Sequence, residues 1–221
     1  MLRHKRVIVT GANGTLGKAV VDKVQSYGAY VVGFDISFEK SSGTSRRVDL
    51  LSSQDIQQEV DSFGDVDGLL NIAGGFAMGA LAHQTDLKEW DDMQAMNVTT
   101  LRNMLATVVP IMLNNKAGSI VNVGALSAER GQDSMSAYVA SKSNVMRITE
   151  SLSEETKGKG INVNAVLPSI IDTPANREAM PDLDFRDWVT PASIAEVMCF
   201  LISDRAKAIN GALIPLSGID E

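Results

Sequence analysis

The sequence predicts an α/β chain folded as one doubly wound, Rossmann-type domain: a sheet of about seven parallel strands with helices on both faces. Three observations carry this expectation. Apolar, β-branched runs of strand length alternate along the chain with amphipathic stretches of helical length, the pattern of repeated βα units joined by right-handed crossovers. The first of these runs feeds directly into a glycine-rich turn that opens a helix. The 221 residues, 44% of them hydrophobic, suffice for one sizeable core, and no low-complexity linker or internal repeat divides them. A single domain over residues 1–221 is therefore expected.

Arg6 to Thr10 reads RVIVT and predicts a buried parallel strand. Gly11 to Gly17 (GANGTLG) follows, and Lys18 to Tyr27 is helical, with Ala19, Val20 and Val24 as its apolar stripe. Tyr30 to Asp35 (YVVGFD) is the second strand and Arg46 to Leu50 a short third. Gln54 to Phe63 is a helix introduced by Ser52 or Ser53, and Val66 to Ala73 a strand that ends in glycines. Asp86 to Asn115 holds one long helix, capped by Thr85 or Asp86, with Pro110 as the place for a kink. Ser119 to Val123 is a strand, Met135 to Lys157 a helix ended by GKG, and Ile161 to Leu167 a strand. Pro191 to Ser203 is a helix capped by Thr190, and Ala212 to Leu216 is the last strand. Asn176 to Val189 is the one irregular stretch with apolar side chains. It begins beyond the carboxyl end of a strand, where ligands of open α/β sheets bind, so it reads as a substrate lid over about 174–190 or as a connecting loop.

Strand, glycine turn and helix in this order suit a dinucleotide pyrophosphate, because backbone amides approach the phosphates at a helix N-terminus whose dipole favours negative charge. Asp35 lies 18 residues after Gly17, at the carboxyl end of the second strand. A carboxylate there accepts both adenosine ribose hydroxyls and repels a 2′-phosphate, which points to NAD(H) rather than NADP(H). No Arg or Lys occurs in the four residues after Asp35; Lys40 lies just beyond. A second constellation is AYVASK, Ala137 to Lys142. Tyr138 and Lys142 are four residues apart, so on a helix they project from one face. A fixed cation beside a phenol stabilises the phenolate and draws its pKa down, which turns tyrosine into an acid and base near neutrality. Taken alone the pair also fits an ordinary amphipathic surface.

Bulk composition narrows the function classes. The formal charge is −7 with no basic cluster, a poor match to nucleic acid or an anionic membrane surface. The one cysteine, Cys199, sits in the apolar stretch EVMCFLI and reads as a core residue. His4 and His83 lack partners at ligand spacing, so no metal is expected. No apolar run reaches membrane-spanning length, and the expectation is a cytoplasmic protein acting on a small molecule.

Taken together, these motifs resemble the short-chain dehydrogenase/reductase family from Val7 to Leu216. TGANGTLG at Thr10 is similar to its cofactor turn, DLL at Asp49 to its adenine contact, and NIAGG at Asn71 to its NNAG strand end. MNV at Met96, YVASK at Tyr138 and PSIIDTP at Pro168 resemble its mid-helix asparagine, YxASK and PGxxxT motifs. The resemblance implies that Tyr138 is the general acid/base, that Lys142 tunes it and holds the nicotinamide ribose, and that Asn97 holds a water in the proton relay. It implies cofactor contacts at Gly11, Asn13, Thr15, Leu16 and Gly17, at Asp35, Asp49, Leu50, Ala73 and Gly74, and at Pro168, Ile171 and Thr173, the last three around the carboxamide. It also implies a homodimer or homotetramer through the two long helices, whose Met104, Val108, Met112, Val145 and Ile148 read equally as core packing.

Two positions depart from the family pattern. The middle small residue of the turn is Thr15, with the extra glycine at Gly14. The catalytic serine's place, thirteen residues before the tyrosine, is Ala125. Loss of that donor removes a hold on a carbonyl oxygen of the order of 10² to 10³ in rate. Within the family the dihydropteridine reductase branch looks most similar: it shares the alanine, and Asp172 to Pro191 resembles its corresponding segment, as do GAL at Gly124 and AGGFAMG at Ala73. The expectation is an NADH-dependent reductase of a pterin-like or other conjugated small molecule. Two alternatives stand beside it: a carbonyl or alcohol dehydrogenase in which Ser127 replaces the serine, and an NAD-binding sensor with weakened catalysis.

Overall fold

Successive side chains of a strand point to opposite faces, so a strand that is apolar at every position must be covered on both sides. Strand β1, Arg6–Thr10, meets that condition: Val7 and Val9 enter one core cluster and Ile8 the other. The remaining strands are β2 (Tyr30–Asp35), β3 (Ser45–Arg47), β4 (Gly68–Asn71), β5 (Gly118–Val123), β6 (Ile161–Pro168) and β7 (Leu213–Leu216). In the computed structural model, which describes residues 1–218, they form one parallel sheet of order β3-β2-β1-β4-β5-β6-β7. The order reverses between β1 and β4, and a crevice opens at their carboxyl ends. Residues 219–221 of the expected domain lie outside the described residues.

Helices α1 (Thr15–Ser26) and α7 (Pro191–Leu201) cover one face through Val20, Val24, Ile194 and Met198, with Cys199 buried beside them. The other face is covered by α2 (Ser53–Phe63), α4 (Thr100–Asn115) and α5 (Ser136–Glu155), through Ile56, Val60, Met104, Val108 and Val145. Each fully buried aliphatic side chain of this kind contributes about 1.5–3 kcal/mol. Two further helices are α3 (Leu87–Gln94), which packs against α5, and α6 (Pro174–Ala179), which follows β6. No helix among the described residues is long and apolar enough to cross a membrane.

Several boundaries differ from the sequence expectation. The third strand stops at Arg47 instead of reaching Leu50, because its register partner β2 ends at Asp35 opposite Arg47. The strand expected over Val66 to Ala73 is only Gly68–Asn71. The single helix expected over Asp86 to Asn115 is α3, a π-helical turn at Ala95–Thr99, and α4. Pro110 does not end α4; Ala106, whose carbonyl loses its partner there, is exposed, so water can satisfy it. Part of the irregular stretch is helical after all: Thr173 caps α6 and Pro174 occupies its first turn. Met104, Val108, Met112 and Val145 pack inside this chain, so they are core and not a free dimer face; Ile148 is partly buried against them.

Candidate active site

The crevice begins at the glycine turn. Gly11 has φ +67°, and a Cβ on it would lie 2.8 Å from the backbone nitrogen of Ala73, so only glycine lets β1 and β4 approach. A Cβ on Gly17 would overlap the carbonyl oxygen of Gly11. The Thr10 hydroxyl oxygen accepts from the N–H groups of Ile72 and Ala73, at 3.0 and 3.1 Å, and locks the two strand ends. Ser52, Asp86 and Thr190 cap α2, α3 and α7 with side-chain oxygens. Helix α1 has no such cap and no acid in its first turn, so its terminal N–H groups around Thr15, Leu16 and Gly17 are free to receive an anion. Thr15 opens the helix without disturbing it, because the extended N-cap is Gly14.

Asp35 reaches this turn from β2. Its Oδ2 accepts from the Asn13 N–H at 3.0 Å, and its Oδ1 accepts from the Ser37 N–H at 2.8 Å and hydroxyl at 2.6 Å. The Asn13 side chain donates in turn to the Ser37 hydroxyl at 2.9 Å. A carboxylate offers about four acceptor positions, so this hold orients Asp35 without exhausting it. On the same side, Asp49 lies in the turn after β3, where its Oδ1 accepts from Leu51 N–H at 2.9 Å, and the Leu50 carbonyl accepts from Asn103 at 3.0 Å.

Tyr138 and Lys142 occupy the first two turns of α5. Lys142 is buried, and its Nζ donates to the Val123 carbonyl at 2.9 Å, which aims the ammonium at the carboxyl end of β5. No carboxylate pairs with it among the described residues, and burial pulls its pKa down to about 8. The Tyr138 hydroxyl has no hydrogen-bond partner among the described residues, and burial pushes the phenol up to about 12. Burial thus acts on the phenol in the direction opposite to the one expected of Lys142.

Asn97 arrives through the π-helical turn Ala95–Thr99, a feature frequent at functional sites because it redirects side chains from a regular helix. The residue is buried and both of its amide hydrogens are engaged. Its Oδ1 accepts from Gly75 N–H at 3.0 Å, while its Nδ2 donates to the Gly75 carbonyl at 3.1 Å and to the Ser141 hydroxyl at 2.9 Å. Ser141 donates onward to the Tyr138 carbonyl at 2.8 Å. The expected water therefore has no free donor on the Asn97 amide. Gly74 lies at the centre of this group: a Cβ there would overlap Asn97 Oδ1 and stand 3.2 Å from Lys142 Nζ.

The position expected for a catalytic serine, Ala125, is buried in an apolar cluster with Ala128, Val139 and Met146, and Tyr138 packs against that cluster. Ser127 follows, half-buried, on a 3₁₀ turn at Leu126–Glu129. From Pro168, the end of β6, the chain passes Ile171, which bridges to Val189, and Thr173, which caps α6. The 174–190 segment is anchored at one end by the buried pair Trp188 and Val189, whereas α6 buries no residue. Arg177 ties the segment to its base with two bonds to Asp172, at 2.5 and 2.8 Å, and lies over the Phe185 ring.

Gly75, Phe76 and Ser141 were not among the expected site residues. Ser141 sits inside the YVASK motif and Phe76 directly after AGG, so proximity to those motifs was the available signal. The ring of Phe76 meets Tyr138 edge to face, with centroids 4.8 Å apart. Asn71 and Asn122 also join the site to the core: Asn71 donates to Asn122, and Asn122 to Thr149, each at 2.9 Å.

A family model described as short chain dehydrogenase matches residues 5–184. A 3-oxoacyl-acyl-carrier-protein reductase of Thermotoga maritima is 30% identical, over 98% of this chain and 98% of its own length. A 2-(R)-hydroxypropyl-CoM dehydrogenase of Xanthobacter autotrophicus is 30% identical over 96% of each chain. Among solved structures, the ligand-free aldohexose dehydrogenase of Thermoplasma acidophilum superposes with a TM-score of 0.88 at 25% identity, covering 97% of this chain and 93% of its own.

Proposed function

The chain belongs to the short-chain dehydrogenase family, and from that premise we propose that it is an NADH-dependent reductase of a small conjugated substrate, with Tyr138 as general acid/base. One observation carries the reading. A phenol with no protein hydrogen-bond partner stands one helical turn from a buried ammonium, and the cluster it packs against contains Ala125 where a carbonyl-holding hydroxyl would be.

The residues present fit a dinucleotide: the uncapped N-terminus of α1 takes a pyrophosphate, with Gly11, Asn13, Thr15, Leu16 and Gly17 around it. Asp35 accepts from the adenosine ribose hydroxyls, one at its open acceptor position and one in place of the rotatable Ser37 hydroxyl, and its charge disfavours a 2′-phosphate, which is the basis for preferring NADH. Asp49 and Leu50 flank the adenine, Ala73 and Gly74 line the middle of the crevice, and Pro168, Ile171 and Thr173 seat the carboxamide. When bound, the cofactor supplies a hydride. Lys142 holds the nicotinamide ribose and favours the phenolate once Tyr138 has donated its proton to the substrate. Burial keeps Tyr138 protonated until then, the state that a reduction needs.

Ala125 favours an acceptor that does not depend on a serine-held carbonyl oxygen, such as a quinonoid imine. The likeness of Asp172 to Pro191 to the dihydropteridine reductase branch supports a pterin-like substrate. The 174–190 segment then acts as the lid, carrying Met180 and Phe185 and anchored by the buried Trp188. A homodimer or homotetramer belongs to the same reading by family resemblance, and light scattering reads it. The test of function is to mix protein, NADH and quinonoid dihydropterin and follow the loss of NADH absorbance. Oxidation above background is expected; a protein that binds NADH and leaves it unoxidised overturns the pterin reading.

A further inference from the structure

We propose that Phe76 is a specificity-determining residue: an aromatic wall beside the Tyr138 hydroxyl that favours planar conjugated substrates over small aliphatic ones. The inference rests on the reading of Tyr138 as proton donor. The Phe76 and Tyr138 rings are inclined at 76°, an edge-to-face contact, yet Phe76 remains 57% exposed, so most of its ring faces outward beside the phenol. Aromatic rings favour such geometry, and a substrate ring laid against the remaining face gains the same kind of contact.

The backbone explains why this side chain stands there. After β4 the chain is pinned at Ala73 by Thr10, and at Gly75 by two bonds with the Asn97 amide, one accepted and one donated by it. A Cβ at Gly74 would overlap Asn97 Oδ1, and one at Gly75 would lie 2.6 Å from the Met96 methyl. The chain thus passes too close to the hydrogen-bonded Asn97 amide to carry a side chain at 74, one at 75 would have to displace the flexible Met96 side chain, and Phe76 is the first residue whose side chain projects. A third pin, Gly79 N–H to the Ser134 carbonyl at 2.8 Å, leaves only Phe76, Ala77 and Met78 between fixed points. Asn97 therefore acts as a positioning residue for Phe76. With Ala125 in place of a hydroxyl, contact with this wall takes over the orientation that a hydrogen-bonded carbonyl would otherwise provide.

The experiment compares wild type, Phe76→Leu and Phe76→Ala with NADH and two dicarbonyls that present the same reacting group: planar, conjugated 9,10-phenanthrenequinone and small, aliphatic 2,3-butanedione. Wild type should favour the planar probe, and both variants should lower the ratio of kcat/KM by roughly tenfold to a hundredfold, mostly through KM. An unchanged ratio in variants that turn over overturns the proposal. Calorimetric binding of phenanthrenequinone to the NAD⁺-loaded proteins involves no hydride transfer, so it separates this inference from the proposed activity. If wild type turns over neither probe, the activity fails on its own; weaker binding by Phe76→Leu still supports the aromatic wall, and equal binding removes it. A tyrosinate titration adds a readout outside the substrate. With Tyr138→Phe as the reference, Phe76→Ala should lower the Tyr138 pKa by readmitting water, and no shift would show that Phe76 does not cover the phenol.

Discussion

The carboxylate of Asp35, at the end of β2, accepts a hydrogen bond from the backbone N–H of Asn13 in the glycine turn at 3.0 Å. The contact joins the two halves of the proposed adenosine site, so one substitution tests both. Asp35→Ala should weaken NADH binding tenfold or more and shrink discrimination against NADPH. Stability should fall by about 1–3 kcal/mol, because Asn13 and Ser37 lose a charged acceptor. Calorimetric titration with both cofactors measures this, and an unchanged preference would remove the basis for naming NADH.

Gly17 and Gly14 lie in the same motif but face different surroundings. At Gly17 an added methyl would overlap the Gly11 carbonyl, whereas at Gly14 it would meet only that oxygen, at 3.4 Å. Gly17→Ala should therefore lose dinucleotide binding and drop the melting temperature despite a helix propensity gain of about 1 kcal/mol. Gly14→Ala should cost under about 1 kcal/mol, as an alanine at an N-cap does. Equal melting temperatures for the two variants would contradict the packing.

Because the Tyr138 hydroxyl has no partner among the described residues, its removal strands no buried group. Tyr138→Phe should fold within about 1 kcal/mol of wild type and bind NADH, while turnover falls by roughly 10² to 10⁴. Ser127→Ala should leave turnover within about twofold of wild type, since a general-acid role of the stated size is assigned elsewhere. Abolished turnover in the serine variant would install Ser127 as the substitute donor and favour a carbonyl dehydrogenase.

Lys142 and Tyr138 oppose each other in alkali. The Lys142 pKa is lowered from 10.5 to about 8, so the unfolded chain holds that proton more tightly. Its contribution to stability is fully present above pH 10.5 and is lost as pH falls through 8, with a slope of at most about 1.4 kcal/mol per unit. The Tyr138 pKa is raised from 10.0 to about 12, so its contribution is complete below pH 10 and disappears as pH rises through 12. In denaturant titrations, wild type should gain stability relative to Lys142→Met between pH 8 and 10. A constant difference between the two would mean that the ammonium keeps its ordinary affinity for protons.

Much of the fold is written locally. The bounds of β1 and β2 follow from β-branched runs covered on both faces, and Ser52, Asp86 and Thr190 announce their helices one residue ahead. The missed helix α6 carries its own signal in Thr173 and Pro174, hidden by the mixed polar and apolar residues that follow. The early end of β3 has no local signal, because a strand lasts only as long as its neighbour pairs with it.

By itself the sequence determined the parallel α/β architecture, the place of the glycine turn, and the pairing of Tyr138 with Lys142 on one helix. These rest on strand and helix periods and on the backbone freedom of glycine, which act within a few residues. Only the tertiary structure decided that the Asn97 amide holds Gly75, that Phe76 stands against Tyr138, and that Met104, Val108 and Met112 belong to the core. It also decided that burial raises the Tyr138 pKa. Each depends on groups far apart in the chain that the sheet order brings together, and on how much water they lose when they meet, which residue spacing does not encode.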